Sequence, residues 1–182
     1  MTIFKTHSIS SAPISAKPLL EKSLQIMGIV PNLHGVLANA PIVLAAYQSL
    51  HDFFINTSFD DKELTVIWQT INIEHDCRYC VPAHTFIAQT MQVEPALMQA
   101  LRKQQPMPTA KLQVLRDMTA SIVRKRGNVD TDELAAFYAA GYQQQQVLEI
   151  ILGVSQKLIS NYTNRIAKTD LDDVFKPFVW HK

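Results

Sequence analysis

Prolines open and glycines close many of the apolar stretches in this sequence, and that punctuation belongs to helices. Pro18 precedes LLEKSLQIM, which stops at Gly28. Proline is pre-organised for a first helical turn, and glycine accepts the left-handed turn just past the last one. Pro31 and Pro41 open two further segments, the second running through IVLAAYQSLHDFF. Ser58-Phe59-Asp60-Asp61 offers a cap for KELTVIWQTINI, Glu94-Pro95 opens ALMQALRKQ, and Thr109 opens KLQVLRDMTASIVRKR. The last of these ends at Gly127 with Arg124, Lys125 and Arg126 in its final turn, where cations complement the helix dipole. Asp130 and Glu133 form a capping box for a helix that stops at Gly141. The final segment, VLEIILGVSQKLISNYTNRIA, carries an apolar stripe of Leu148, Ile151, Leu152, Leu158, Ile159 and Ile166, and the glutamines Gln143–Gln146 read as its entry. No period-2 pattern bounded by turn residues occurs, and 5 glycines in 182 residues are too few for a turn-rich β fold. The expectation is all-α: a single domain over residues 1–182, about eight helices, and a disordered or extended tail over residues 1–11.

Charge narrows the function classes. Seventeen basic residues against sixteen acidic ones leave a net charge of +1, without the basic excess of a phosphate-binding protein. The Arg124–Arg126 cluster therefore reads as a helix end, and no nucleic-acid partner is expected. With 47% hydrophobic and 18% charged residues, the chain buries a core instead of staying disordered. Met1 to Ser11 has no apolar leader segment, and no stretch approaches the ~18–20 apolar residues of a membrane span. The expected location is cytoplasmic, with no membrane partner. The broad apolar stripes of the last helix and of the one from Pro41 suggest a homo-oligomer. Trp68 reads as core, Tyr162 as an interface residue, and the aromatic tail from Phe175 to Trp180 as a cover for a neighbouring subunit.

The chemistry concentrates in Glu74-His75-Asp76-Cys77-Arg78-Tyr79-Cys80-Val81-Pro82-Ala83-His84. Both cysteines of the chain lie here, three residues apart, too few for a disulfide framework and spaced for redox or metal chemistry. Proline is cheap only in the first turn of a helix, so Pro82 sets both thiols at or just before a helix N-terminus. The partial positive charge there favours a thiolate. His84 follows Cys80 by four residues and shares its helix face, where an imidazole can accept the thiol proton or pair with the thiolate. Cys77 is within reach to resolve an oxidised Cys80. Two other readings stay open. Cys77, Cys80 and His84, with Glu74 or His75, could hold zinc, although no further cysteine supplies the usual second pair. The three could also be core residues. A c-type haem motif is excluded, since Val81 follows Cys80, and no βαβ pattern surrounds the pair as in a thioredoxin.

This Cys-x-x-Cys-x-x-x-His segment resembles the alkylhydroperoxidase D-like branch of the carboxymuconolactone decarboxylase family. Pro31-Asn32-Leu33-His34, Ala46-Tyr47-Gln48-Ser49-Leu50-His51, Glu74 and Ser160-Asn161-Tyr162-Thr163-Asn164 look like its peroxidase-related members, so the likeness runs from about Ser11 to the C-terminus. The resemblance implies a helical fold, trimers or hexamers, and reduction of hydroperoxides without metal or other cofactor. It makes Cys77 and Cys80 the redox-active disulfide, renewed by an external dithiol or protein reductant, and His84 the proton-relay histidine. Two positions depart from the family pattern. Thr65 stands where a glutamate is expected, and Tyr79 where a second histidine can lie between the cysteines. Glu63 lies about 200° round the helix from Thr65 and cannot replace it, which leaves Glu74 as the candidate relay carboxylate. Members that decarboxylate a muconolactone work without a cysteine pair. A lyase of that type, and a zinc-binding or redox-sensing helical oligomer, are the alternatives to a peroxidase.

Overall fold

Capping sets the helix ends much as the punctuation implies. The computed structural model describes residues 4–182. Its helices are α1 (Lys17–Met27), α2 (Asn32–Leu37), α3 (Pro41–Ile55), α4 (Asp61–Glu74), α5 (Cys80–Thr90), α6 (Pro95–Arg102), α7 (Ala110–Lys125), α8 (Thr131–Ala139) and α9 (Gln144–Ala167). Two 3-10 segments, Ile14–Ala16 and Asp173–Phe178, complete the set, and no strand occurs among the described residues. Pro18, Pro41 and Pro95 lie in the first turns of α1, α3 and α6, and Gly28 ends α1 in the left-handed conformation, φ 71°. Capping boxes at Asp60/Glu63, Asp130/Glu133 and Gln143/Gln146 start α4, α8 and α9. Each box satisfies two backbone donors that the first turn would otherwise leave unpaired.

Helix α4 is the axis of the fold. Every residue from Glu63 to Ile73 is buried, and α7, α5, α9 and α6 pack around it. One apolar cluster, built on Phe54, Trp68, Ile71, Leu115 and Phe137, fills the space between α3, α4, α7 and α8. A second, built on Leu20, Leu44, Tyr47, Tyr79 and Phe175, encloses both cysteines. Helices α3 and α9 approach closely: a Cβ on Gly153 would come within 2.7 Å of the Phe54 ring.

The N-terminal tail is irregular yet docked. The His7 amide donates to the Gly35 carbonyl at 3.0 Å, and a Cβ on Gly35 would stand 2.6 Å from the His7 oxygen. Asn39 holds the Lys5 carbonyl at 2.7 Å. The first three positions of the expected tail lie outside the described residues.

The stripe read from α9 divides: Leu148, Ile151 and Ile166 are exposed, Leu152, Leu158 and Ile159 are half-buried, and α9 buries Ile150 and Ala167 together with Gly153, Gln156, Lys157, Ser160, Asn161 and Asn164. The interior wanted polar partners for α4 and α5 more than it wanted leucines. The aromatic tail also covers its own chain. Phe175 packs against Tyr79 and Phe86, while Trp180 joins Ile73 and Val81 and donates its indole N–H to the Arg102 carbonyl at 3.0 Å. Among the described residues no helix is long and apolar enough to cross a membrane.

Candidate active site

The two cysteines bracket the start of α5. Cys77 caps that turn: its carbonyl accepts from the Val81 amide at 3.1 Å, and its Sγ accepts from the Cys80 amide at 3.1 Å. Pro82 follows within the first turn of α5, where a missing N–H costs nothing. Both thiols are free and buried, Cys77 at 4% exposure and Cys80 at 2%.

A polar layer from α4 and α9 holds this turn. Asn161 donates to the Asn72 oxygen at 3.0 Å, and Gln69 donates to the Val81 carbonyl at 3.1 Å. Trp68 donates its indole N–H to Gln156 at 2.9 Å. The Asn164 amide donates to Cys80 Sγ at 3.2 Å. Fixed dipoles aimed at a sulfur stabilise charge there without reorganisation.

The group bonded to His84 is Lys157. Its Nζ lies 2.8 Å from His84 Nε2, and the lysine is only 1% exposed. Burial pulls the Lys157 ammonium below its ordinary value, while the two cysteine sulfurs push it back up. Burial, then the charge on Lys157 and His51, holds His84 far below the usual imidazole value, so the ring stays neutral. An ammonium at Lys157 donates to Nε2, which leaves the ring proton on Nδ1. Trp68 packs on the same ring, centroids 4.8 Å apart.

These neighbours split the two thiols. Burial would raise Cys80, but the Cys77 thiol hydrogen bond, the Lys157 charge and the Asn164 and Asn161 amides outweigh it and bring it down to about 6. Cys77 moves the other way. Its hydrogen bond to the Cys80 sulfur, its burial and the nearby Cys80 charge all push it well up. Cys80 is the anion of the pair and Cys77 the proton holder.

The candidate residues divide accordingly. Cys77, Cys80 and His84 come together, and Glu74 does not join them. Both of its oxygens take Arg124 of α7, at 2.7 Å each. Thr65 bonds back to the Asp61 carbonyl at 2.7 Å and delivers no carboxylate. Tyr79 is a clamp, accepting from the Leu33 amide at 3.2 Å and donating to Asp172. His75 bonds Asn161 at 2.8 Å. Among the described residues no three His, Cys, Asp or Glu side chains converge as a metal site. The sequence reading missed Lys157. Its signal is the 3-4 spacing of Gly153, Lys157, Ser160 and Asn164, which marks a polar helix face one can overlook beside the louder apolar stripe.

Cys80, His84 and Lys157 border a void of about 40 Å³, walled also by Leu33, Tyr47 and Phe175. That is room for one or two water-sized groups. Beside the candidate residues its lining mixes apolar side chains with His34, Tyr47 and Tyr79.

No family model matches the chain, and no curated protein matches it. Solved structures do. An uncharacterized peroxidase-related protein from Ralstonia eutropha JMP134, described as an alkylhydroperoxidase AhpD core, superposes with a TM-score of 0.84 at 17% identity, over 94% of this chain and 93% of that one. A peroxidase-related protein from Silicibacter sp. TM1040 gives 0.79 at 15% identity, over 95% and 94%. The debrominase Bmp8, in complex with 2,3,4-tribromopyrrole, gives 0.81 at 14% identity, over 97% and 95%. The chain therefore has the all-helical fold of the alkylhydroperoxidase D core.

Proposed function

We propose that this protein is a thiol-dependent peroxidase in which Cys80 attacks the peroxide and Cys77 resolves it. The observation that carries this reading is the asymmetry of the pair: one buried sulfur held as an anion by Lys157 and Asn164, three residues from a thiol held protonated. Peroxidase-related proteins of the same fold support it.

The Cys80 thiolate attacks the terminal peroxide oxygen and the O–O bond breaks. The alkoxide or hydroxide that leaves takes a proton from the Lys157 ammonium, which lines the same space as Cys80. His84 holds that ammonium and so acts on the proton relay through it. Cys80 is now a sulfenic acid. The Cys77 sulfur attacks it, losing its proton as water departs, and a Cys77–Cys80 disulfide forms. An external dithiol or protein reductant restores the pair, with no metal or other cofactor in the cycle.

A second reading comes from Bmp8, a debrominase of the same fold solved with 2,3,4-tribromopyrrole. The narrow space beside Cys80, about 40 Å³, favours hydrogen peroxide or a short alkyl hydroperoxide over a brominated ring. We also propose that the outward apolar residues of α3 and α9, such as Ile42, Leu148 and Ile166, are covered in a homo-oligomer.

Peroxide consumption with dithiothreitol as reductant tests the function. Wild type should turn over, Cys80→Ser should not, and Cys77→Ser should accumulate a sulfenic acid that dimedone traps. Full turnover in Cys80→Ser would exclude the assignment.

A further inference from the structure

Cys77 and Cys80 open onto different spaces. Cys80 faces the small void beside His84 and Lys157, whereas Cys77 lines a cleft of about 450 Å³ between the α4–α5 connection and the C-terminal end of α9. Three of the six buried polar atoms without a hydrogen-bond partner among the described residues belong to that cleft: Asp76 Oδ1, Asn164 Oδ1 and Thr169 Oγ1. Asn164 is 5% exposed, and its nitrogen is committed to Cys80. Buried polar atoms left without partners are rare and ask for a ligand or a water. The cleft mouth carries Arg78, Arg165 and Lys168, all exposed and none in an ion pair with a described residue, against the single exposed carboxylate of Asp170.

We propose that this cleft binds the reductant, and that the reductant is a zwitterionic peptide thiol. The inference rests on the redox pair proposed above and adds the chemistry of its electron donor. Carboxylates of the ligand meet Arg78, Arg165 and Lys168. Its ammonium or amide N–H groups satisfy Asp76, Asn164 and Thr169. A cleft of this volume suits a short peptide, within the usual range of small-ligand sites. The bound thiolate then reaches Cys77, the sulfur on this side of the pair.

The chemistry balances. The ligand thiolate attacks Cys77 Sγ, the Cys77–Cys80 bond breaks, and its electron pair leaves on Cys80. A stabilised thiolate is the better leaving group. A second ligand thiolate attacks the ligand sulfur of the mixed disulfide. Cys77 departs and takes one proton. Two ligand thiols have become one ligand disulfide, and the protein pair is reduced.

The test uses the whole protein, oxidised with diamide and then reduced under anaerobic conditions by glutathione, cysteamine or 2-mercaptoethanol. Each rate is divided by that thiol's rate with a small aromatic disulfide. Glutathione should exceed 2-mercaptoethanol by about tenfold or more, as charge-steered binding does. That preference should fall with added salt. It should be lost in Arg165→Glu/Lys168→Glu, and equally in Arg78→Glu should the double variant misfold. Equal normalised rates for the three thiols would overturn the inference, as would a preference that survives both variants. A thioredoxin that outpaces glutathione regardless of these substitutions would overturn it too. Failure of diamide to link Cys77 and Cys80 would instead sink the redox reading itself, and this inference with it.

Discussion

Lys157 Nζ sits 2.8 Å from His84 Nε2, on the buried face of α9, within the electrostatic reach of Cys80. A lysine this buried loses hydration that nothing apolar can replace. The thiolate and the imidazole supply the compensation. The arrangement binds three elements into one unit: α5 presents the sulfur, α9 the cation, and α4 the amides that fix both.

Replacing Lys157 with methionine keeps the length and removes the charge. Loss of an opposite charge at this range should raise the Cys80 thiol by roughly one to three pH units. Peroxide reduction at neutral pH should then fall about tenfold or more and recover as the pH is raised. The fold should lose stability, on the order of 1–3 kcal/mol, because the buried His84 Nε2 is left without its hydrogen-bond partner. The pH–rate profile and a thermal melt, measured together, check both halves. An unshifted profile would place the anion's stabilisation elsewhere.

Glu74→Gln tests the carboxylate expectation directly. Glu74 is paired with Arg124, whose side chain is 65% exposed. Such a pair contributes about 0–1 kcal/mol. Turnover should stay within about twofold of wild type, with a small loss of stability of that order. A loss of turnover as large as that of His84→Asn would restore Glu74 to the relay.

How much of this was legible beforehand follows from which forces leave a mark on sequence. Capping is local, so Pro41, Gly28, Asp60 and Asp130 announced their helices correctly. The Cys77–His84 spacing is also local and set three candidate residues around the start of one helix. Lys157 and Asn164 lie 73 and 84 positions away from the residues they touch. Nothing but tertiary packing brings them there. The apolar stripe of α9 did not by itself say which of its residues face inward, because an outward apolar face obeys the same 3.6 period as an inward one. The Phe175–Trp180 tail misled because burial says nothing about whose core is filled.

Acid should unfold this protein earlier than its carboxylates require. Burial first, then the charge on His51, lowers His34 from 6.5 to about 4. Burial first, then the charge on Lys157, lowers His51 from 6.5 to about 4. A histidine depressed in the folded state gives no penalty above its unfolded value. Below about pH 6.5 the unfolded chain binds protons that the native one refuses, so stability drains away as the pH falls towards 4. The cost is roughly 2 kcal/mol per histidine by about pH 5. Thermal melts should be flat above pH 6.5 and drop steeply below it, and His51→Gln should soften the drop. A Tm unchanged between pH 7 and pH 5 would contradict this.

The central claim is the anion at Cys80, and the ultraviolet absorbance of the thiolate, followed through a pH titration, tests it most directly. Absorbance does not depend on reagent access, which matters for sulfurs this buried. One thiolate should appear with a midpoint near 6, vanish in Cys80→Ser and move up in Lys157→Met. A protein in which neither sulfur ionises below about pH 8.5 would contradict the account.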